Sequence, residues 1–569
     1  MLGLLACNLS ENLHIYSRDK IMKKTTLLAA FVTGSLVSVA SLSFADEAKW
    51  EKDKSYKLTV IHTNDNHGRF WSNRHGEYGM AARKTLIDNI RVEVAEQGGQ
   101  LLLLSGGDIN TGVPESDLQD AEPDFKGMGF IGYDAMAIGN HEFDNKLEVI
   151  RKQESWVDFP FLAANIYDEK SNKRLFAPYK VFNKGVLRVA VMGLTTQDTK
   201  KLGNPEFMGG ISFSAPVDEA KKLVPQLKEK ADIVIAATHM GHYKDASFGI
   251  NAPGDVTLAR SVPGIDMIIG GHSQDPVCAD AQGELITKYK AGMACMPDVQ
   301  NGTLIMQAHE WGKYVGRADL EFKNGDLNLI SYQLIPVNLK KKIKNAEGKK
   351  VRVLIDDAIA EDQTLKAFLT PYQEKGQDQL QQKIGSVDAK LEGDRDVVRF
   401  KPTNMGHLIA LAHMEKVGAD LAVMNSGGIR DSIAQGDITY KDVLKVQPFA
   451  NVVSFVELTG TELLDYLAEV ASKPVDSGAF AHFAGVDLVV TGGKLTSATV
   501  KGQDIDKAKS YRMALNSYIA SGGDKYPVIN THKGYVNSGF VDADVLKEYI
   551  VNNSPLKAAF HDKGNVVRN

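Results

Sequence analysis

Five apolar runs in the first half of the chain each end in a short turn of glycine and polar residues, and this pairing constrains the fold more than any other feature. The runs and their endings are Leu58 to Ile61 into Asn64-Asp65-Asn66-His67-Gly68, Leu101 to Leu104 into Gly106-Gly107-Asp108, Ala135 to Ile138 into Gly139-Asn140-His141-Glu142, Ile233 to Ala237 into His239, and Met267 to Ile269 into Gly270-Gly271-His272-Ser273-Gln274. Short continuous apolar runs bounded by turn residues read as buried strands. Between them lie charged amphipathic stretches such as Ala81 to Gln97 and Pro216 to Lys230. Strands alternating with helices predict an α/β layered domain from about 56 to 335. In an open α/β sheet, ligands collect beyond the carboxyl ends of the strands, so these turns are expected to meet in space although about 200 residues of chain separate them.

A single Asp-x-His turn is ordinary loop chemistry. Asp65, His67, Asp108, Asn140, His239, His272 and Gln274, all at strand ends and mostly beside glycines that let backbone approach closely, form a set of another kind. Oxygen donors mixed with imidazoles suit two divalent cations roughly 4 Å apart, which together clamp a phosphoryl group. Asp108, alone after its strand, is the natural bridge. A set of Asp, His, Asn and Gln suits Zn, Mn or Co and also accepts Mg. His62 within the first run and His242 just after His239 read as structural neighbours.

The chain has 569 residues, too many for one core, so two domains are expected. Its net charge of -5 and charged content of 24% give no basic excess, which argues against nucleic acid and makes a local cationic site necessary for a phosphate substrate. Residues 22 to 45 read as a secretory signal: Lys23-Lys24, an apolar stretch from Leu27 to Val39, then Ser43-Phe44-Ala45 as a small-residue cleavage site. The alternative is an uncleaved anchor, against which Thr, Ser and Gly interrupt the stretch. Residues 1 to 21 precede the signal and serve it in no evident way. Removing the leader removes Cys7 and leaves Cys278 and Cys295, for which a disulfide in an oxidising compartment competes with a metal-binding thiol pair.

Residues 338 to 350 form a Lys- and Asn-rich break, and Val351 to Lys375 has helical spacing through Leu354, Ile359, Leu365 and Phe368, which predicts a connecting helix. The expected division is 1–45 extension and signal, 46–350 metal-bearing catalytic domain, 351–379 linker helix and hinge, and 380–569 a second, smaller domain. In this last part Arg395, Arg399 and Arg430 offer planar forks for phosphate. Asn425-Ser426-Gly427-Gly428 allows a ligand close to the backbone. Phe449 and Tyr518, taken alone, would be buried aromatics.

The order Asp-x-His, Gly-Gly-Asp, Gly-Asn-His-Glu, His, Gly-His-x-Gln resembles the calcineurin-like metallophosphoesterases. From about Lys57 onward the chain is similar to the bacterial periplasmic UDP-sugar hydrolase/5'-nucleotidase family, including Ser105 to Gly112, Ile138 to Asp144 and Gly427-Gly428-Ile429-Arg430-Asp431. The resemblance implies an N-terminal four-layered α/β metallophosphoesterase domain and a smaller α/β substrate-binding domain. It implies one metal on Asp65, His67, Asp108 and Gln274, and another on Asp108, Asn140, His239 and His272. His141 would donate to a transferring phosphoryl oxygen, with Asp144 holding its ring. Phe449 and Tyr518 would clamp a nucleobase, with Asp524 on the ribose. The family commonly has Phe where Tyr518 stands and Asn where Ile519 stands; the first change keeps a stacking face and the second removes an amide. The expected protein is an exported, periplasmic monomer without a stable membrane anchor, acting on 5'-nucleotides and UDP-sugars after a large rotation of its C-terminal domain. Its rivals are a 2',3'-cyclic nucleotide phosphodiesterase with 3'-nucleotidase activity, and a periplasmic nucleotide-binding protein without catalysis.

Overall fold

The computed structural model describes residues 49–202, 207–243, 253–449, 451–562 and 566–568. The segments read as an upstream extension and a secretory signal lie outside the described residues. The expected strands are all present, and they are shared between two sheets, as the four-layered fold implied by the resemblance requires. The first sheet carries Ser55–Thr63, Gln100–Ser105, Ala135–Ala137 and Phe161–Leu162 side by side in parallel, with Tyr314–Lys323 and then Asp326–Pro336 antiparallel at its edge. The second carries Leu187–Thr195, Ile233–His239, Met267–Ile269 and Thr303–Ala308 in parallel, flanked by Tyr179–Lys184 and Pro276–Val277.

Alternation along each strand explains the layering. Leu58, Val60, Leu102, Leu104, Ala135 and Ala137 point into one core, where they meet Val189, Val191, Ile233, Ile235, Ala237, Met267 and Ile269 from the second sheet. The intervening residues Ile61, Leu103 and Met136 point the other way, toward helices Met80–Glu96, Glu122–Ile131 and Gln363–Gln379. In the second sheet Ala190, Met192, Val234 and Ala236 face helices Pro216–Lys230 and Asp255–Ser261. The result is helix, sheet, sheet, helix: four layers, with strands buried on both faces and therefore continuously apolar in sequence.

From Leu380 onward the buried side chains form separate cores. A five-stranded sheet in the order Ala481–Ala484, Leu421–Asn425, Ser510–Asn516, Val452–Thr459 and Tyr535–Val541 lies at its centre. Helices Asn404–Lys416, Tyr440–Val446 and Asp542–Asn553 cover one face, and Gly460–Ala471 the other. Thr439 with Asp442 and Thr459 with Glu462 form reciprocal caps that fix where two of these helices begin.

The stretch read as one helix over Val351 to Lys375 divides. Lys350–Leu354 is a strand paired with Lys340–Lys344, and the helix starts only at Gln363, where Asp362 Oδ1 accepts from the Leu365 N–H at 2.7 Å. Leu365 and Leu369 anchor this helix in the first core. Cys278 and Cys295 form a disulfide with their Cα atoms 4.8 Å apart, so the thiol-pair alternative is set aside. Among the described residues no helix is long and apolar enough to cross a membrane.

Candidate metal centre

The carboxyl ends of strands from both sheets converge because glycines let the turns touch. A Cβ on Gly106, after the second strand of the first sheet, would lie 2.3 Å from the Gly270 carbonyl oxygen of the other sheet; a Cβ on Gly139 would lie 2.0 Å from Asp108 Oδ1. Five of the seven expected ligands, Asp65, His67, Asp108, His272 and Gln274, sit at positive φ between 49° and 81°. Left-handed backbone costs an L-residue about 1–2 kcal/mol, so this many together mark a site whose geometry overrides local preference.

Asp108 is the hub. Its Oδ2 lies 2.9 Å from His239 Nε2 and 3.9 Å from His67 Nε2, and its Oδ1 accepts the His141 N–H at 2.9 Å. The Asn140 Oδ1 lies 2.8 Å from His272 Nδ1 and 3.2 Å from His239 Nε2. Gln274 Nε2 lies 2.9 Å from His67 Nε2, and the His272 N–H donates to Asp65 Oδ2 at 3.1 Å. The donor atoms of His67, Asp108 and His141, and those of Asp108, His239 and His272, fall within 4.8 Å of one another. Asp108 is common to both groups, as a bridging carboxylate must be.

The imidazoles are oriented as metal ligands are. His67 Nδ1 is held by the Thr111 carbonyl at 2.8 Å and His239 Nδ1 by the Gly106 carbonyl at 2.7 Å, which leaves each Nε2 lone pair for the centre. Buried and convergent, this mixed oxygen and imidazole donor set fits a pair of divalent cations. His141 Nδ1 is 2.6 Å from Asp144 Oδ2, and Thr111 Oγ1 donates to the same oxygen at 2.6 Å, so Asp144 fixes the ring and leaves Nε2 free of that pairing.

Charge is tightly balanced here. Burial pushes the Asp108 carboxyl up, but His239, His141 and His67 hold it well below the usual carboxylate range. Burial raises Asp65 to about 7. Burial works against protonated His239 and His141, yet Asp108 raises the first to about 9, and Asp144 with Asp108 raises the second to about 10. Burial lowers His67 and His272 to about 3. A cation bound here would compete with the protons of His239 and Asp65.

Several residues that shape the site carried no role in the sequence. Glu142 accepts from the Gly139 N–H at 2.7 Å, the Ile109 N–H at 2.8 Å and the Asp108 N–H at 3.2 Å, tying two ligand turns together. Its place in the Gly-Asn-His-Glu motif was the available signal. Asn64 donates to Asp65 Oδ2 at 2.6 Å, and the Trp311 N–H donates to the Asp65 carbonyl at 2.6 Å. No pattern pointed to Trp311. His62 is fully buried beside Tyr332, its pKa lowered by burial to about 3, and His242 lies 2.8 Å from Asp298 Oδ2, so both are structural neighbours.

The C-terminal candidates gather in a second place. Asn425 Nδ2 donates to Asp524 Oδ2 at 2.8 Å, and the Tyr518 hydroxyl donates to Asp524 Oδ1 at 3.2 Å. Burial and the charges of Arg395 and Arg430 lower the Arg399 pKa, with Asp524 and Asp476 opposing, so the three guanidiniums are near enough to feel one another's charge. The Arg430 guanidinium lies 5.5 Å from the Phe449 ring centroid. Phe449 and Tyr518 are 54% and 45% exposed, which rules out the buried-aromatic alternative. The C-terminal residue that lies against the metal centre is instead Gly539, where a Cβ would come within 2.4 Å of His141 Nε2.

Four α/β layers with a polar centre at the strand ends define a metallophosphoesterase joined to a second α/β domain. The calcineurin-like phosphoesterase model matches residues 58–276, and the 5'-nucleotidase C-terminal domain model matches residues 383–531. A 5'-nucleotidase of Vibrio cholerae is 58% identical over 552 residues, covering 96% of this chain and 100% of that protein. Protein UshA of Escherichia coli is 56% identical over 552 residues, covering 96% and 99%. The structure of Haemophilus influenzae NAD nucleotidase superposes with a TM-score of 0.75 at 21% identity, over 91% of this chain and 99% of that one, and so shares the fold. The chain belongs to the 5'-nucleotidase family and is a hydrolase.

Proposed function

We propose that this chain is an exported, periplasmic two-metal hydrolase that releases nucleoside and phosphate from 5'-nucleotides, and UMP and sugar 1-phosphate from UDP-sugars, in nucleotide salvage. The observation that carries the reading is the convergence of Asp65, His67, Asp108, Asn140, His239, His272 and Gln274 from both sheets around one carboxylate. Two divalent cations held there, one by Asp65, His67, Asp108 and Gln274 and the other by Asp108, Asn140, His239 and His272, draw charge from phosphoryl oxygens and acidify water at neutral pH. Their donor set suits Zn, Mn or Co. His141, protonated and braced by Asp144, donates from Nε2 to a phosphoryl oxygen as its charge grows. Arg395, Arg399 and Arg430 receive the phosphates, Phe449 and Tyr518 stack on the base, and Asn425 and Asp524 bind the ribose side.

With Gly539 against His141, the place of the phosphoryl oxygen is covered in this arrangement. The domain spanning 380–569 therefore rotates over the one spanning 46–350 to bring the arginine surface to the metals. Burial of Leu365 and Leu369 in the first core supports placing the pivot at the carboxyl end of the 351–379 link, near Leu380.

Phosphate and sugar 1-phosphate release from AMP and UDP-glucose, measured before and after EDTA with Zn, Mn, Co and Mg returned singly, tests the function. Turnover of both substrates that chelation abolishes and metal restores is expected. Faster turnover of 2',3'-cyclic nucleotides, or tight binding without release, would favour the rival phosphodiesterase or binding protein.

A further inference from the structure

We propose that Arg69, laid flat on the Trp311 ring, is a positioning residue that holds the Asp65-x-His67 turn in its ligand geometry. The inference rests on the metal-centre reading above. Asp65 and His67 both have left-handed backbone, at φ 50° and 49°, a shape that surrounding contacts must impose. Those contacts reach the two carbonyls. Arg69 Nη1 donates to the His67 carbonyl at 2.6 Å, and the Trp311 N–H donates to the Asp65 carbonyl at 2.6 Å. The Arg69 guanidinium lies 4.0 Å from the Trp311 ring, so one stacked pair grips the residues on either side of Asn66.

The loop beneath is shaped for this grip. His309 and Trp311 are themselves left-handed, at φ 67° and 61°, and Lys313 lies 4.1 Å from the indole. The Asn64 amide donates to the His309 carbonyl and accepts from the Ala308 N–H at 2.7 Å, stitching the same loop to the residue before Asp65. Burial works against the Arg69 charge, and Tyr78, Glu310, Asp117 and Asp124 around it offset this. Arginine suits the post because its planar fork stacks and donates in plane at once, which an ammonium cannot do. The grip acts directly on Asp65 and His67 and reaches His272 only through its N–H to Asp65, so it bears chiefly on one of the two proposed cations.

The test is Co2+ titrated into the metal-stripped full chain, followed by visible absorbance and calorimetry, with the thermal midpoint of the stripped protein measured alongside. The wild type is expected to bind in two steps. Arg69→Ala is expected to weaken one step about 10–100-fold while the other step and the midpoint hold. Trp311→Ala, which keeps the backbone N–H and loses only the stacking face, should do the same, and Trp311→Phe, which returns such a face, should restore the step. Equal binding by wild type and Arg69→Ala, or an equal loss at both steps, overturns the positioning role. A wild type that binds no Co2+ overturns the metal reading along with it.

Discussion

At the scale of single residues, the site divides by how each group acts. His141 and Asp144 form a pair whose donor points away from its brace, 2.6 Å apart. His141→Gln keeps the size of the group and removes the charged donor, so kcat is expected to fall about 10²–10³-fold, the range for loss of one donor to a developing oxyanion. Co2+ binding should be unchanged, and a fall in metal affinity to match would make His141 a ligand. The ligands were legible because each stands at a strand end beside residues that permit unusual backbone. Glu142 was half legible, present in the motif without a role. Arg69 and Trp311 were illegible: they work through backbone N–H and carbonyl groups, which every residue carries, and Trp311 lies about 240 positions from the turn it holds.

At the scale of elements, the strands were readable because burial on both faces leaves a continuous apolar signature. What the runs could not say is which sheet each strand joins, since Val60 and Val191 look alike until they meet across one core. The Val351 to Lys375 stretch misled for a related reason. Val351 and Val353 alternate along a two-residue period in a hairpin, and Leu354 and Ile359, five apart, do not continue the three-residue spacing of Leu365 and Phe368. Asp362, the cap that sets the start at Gln363, was the overlooked signal. The turn after Ala135–Ala137 is closely constrained, because a Cβ on Gly139 would lie 2.0 Å from Asp108 Oδ1. Gly139→Ala is expected to abolish tight binding of both proposed cations, since Asp108 would serve both. A thermal midpoint within a few degrees of wild type would show that the damage is local. Undiminished two-step Co2+ binding would contradict the hub role of Asp108.

At the scale of the whole molecule, the contact between the halves depends on acid groups. Asp117, beside Leu118 that packs on the C-terminal core, is raised by burial and by the charges of Asp544 and Asp124, with Arg69 opposing; Asp544 is raised by burial and by Asp144, with the Tyr440 hydroxyl, Lys547 and Lys416 opposing. Carboxyl groups raised above their unfolded value near 4 stabilise this arrangement most at low pH, and that contribution is lost as pH rises through their raised values. The halves should therefore separate more readily with rising pH, seen as a larger radius of gyration by small-angle scattering, and Asp544→Asn should flatten the response. A radius independent of pH in the wild type would remove these groups from the contact. The two-sheet origin of the ligands has a further bearing, on when the protein becomes whole. Asp65 and Gln274 come from opposite layers, so no nascent fragment holds a finished centre, and ions bound there would act as late rivets between layers that must first close. For the exported chain proposed here, folding ends outside the cytoplasm, and the ions it carries are those its destination supplies. Thermal stability then becomes a gauge of external metal, since an ion at 100 times its dissociation constant adds about 2.7 kcal/mol to the folded state.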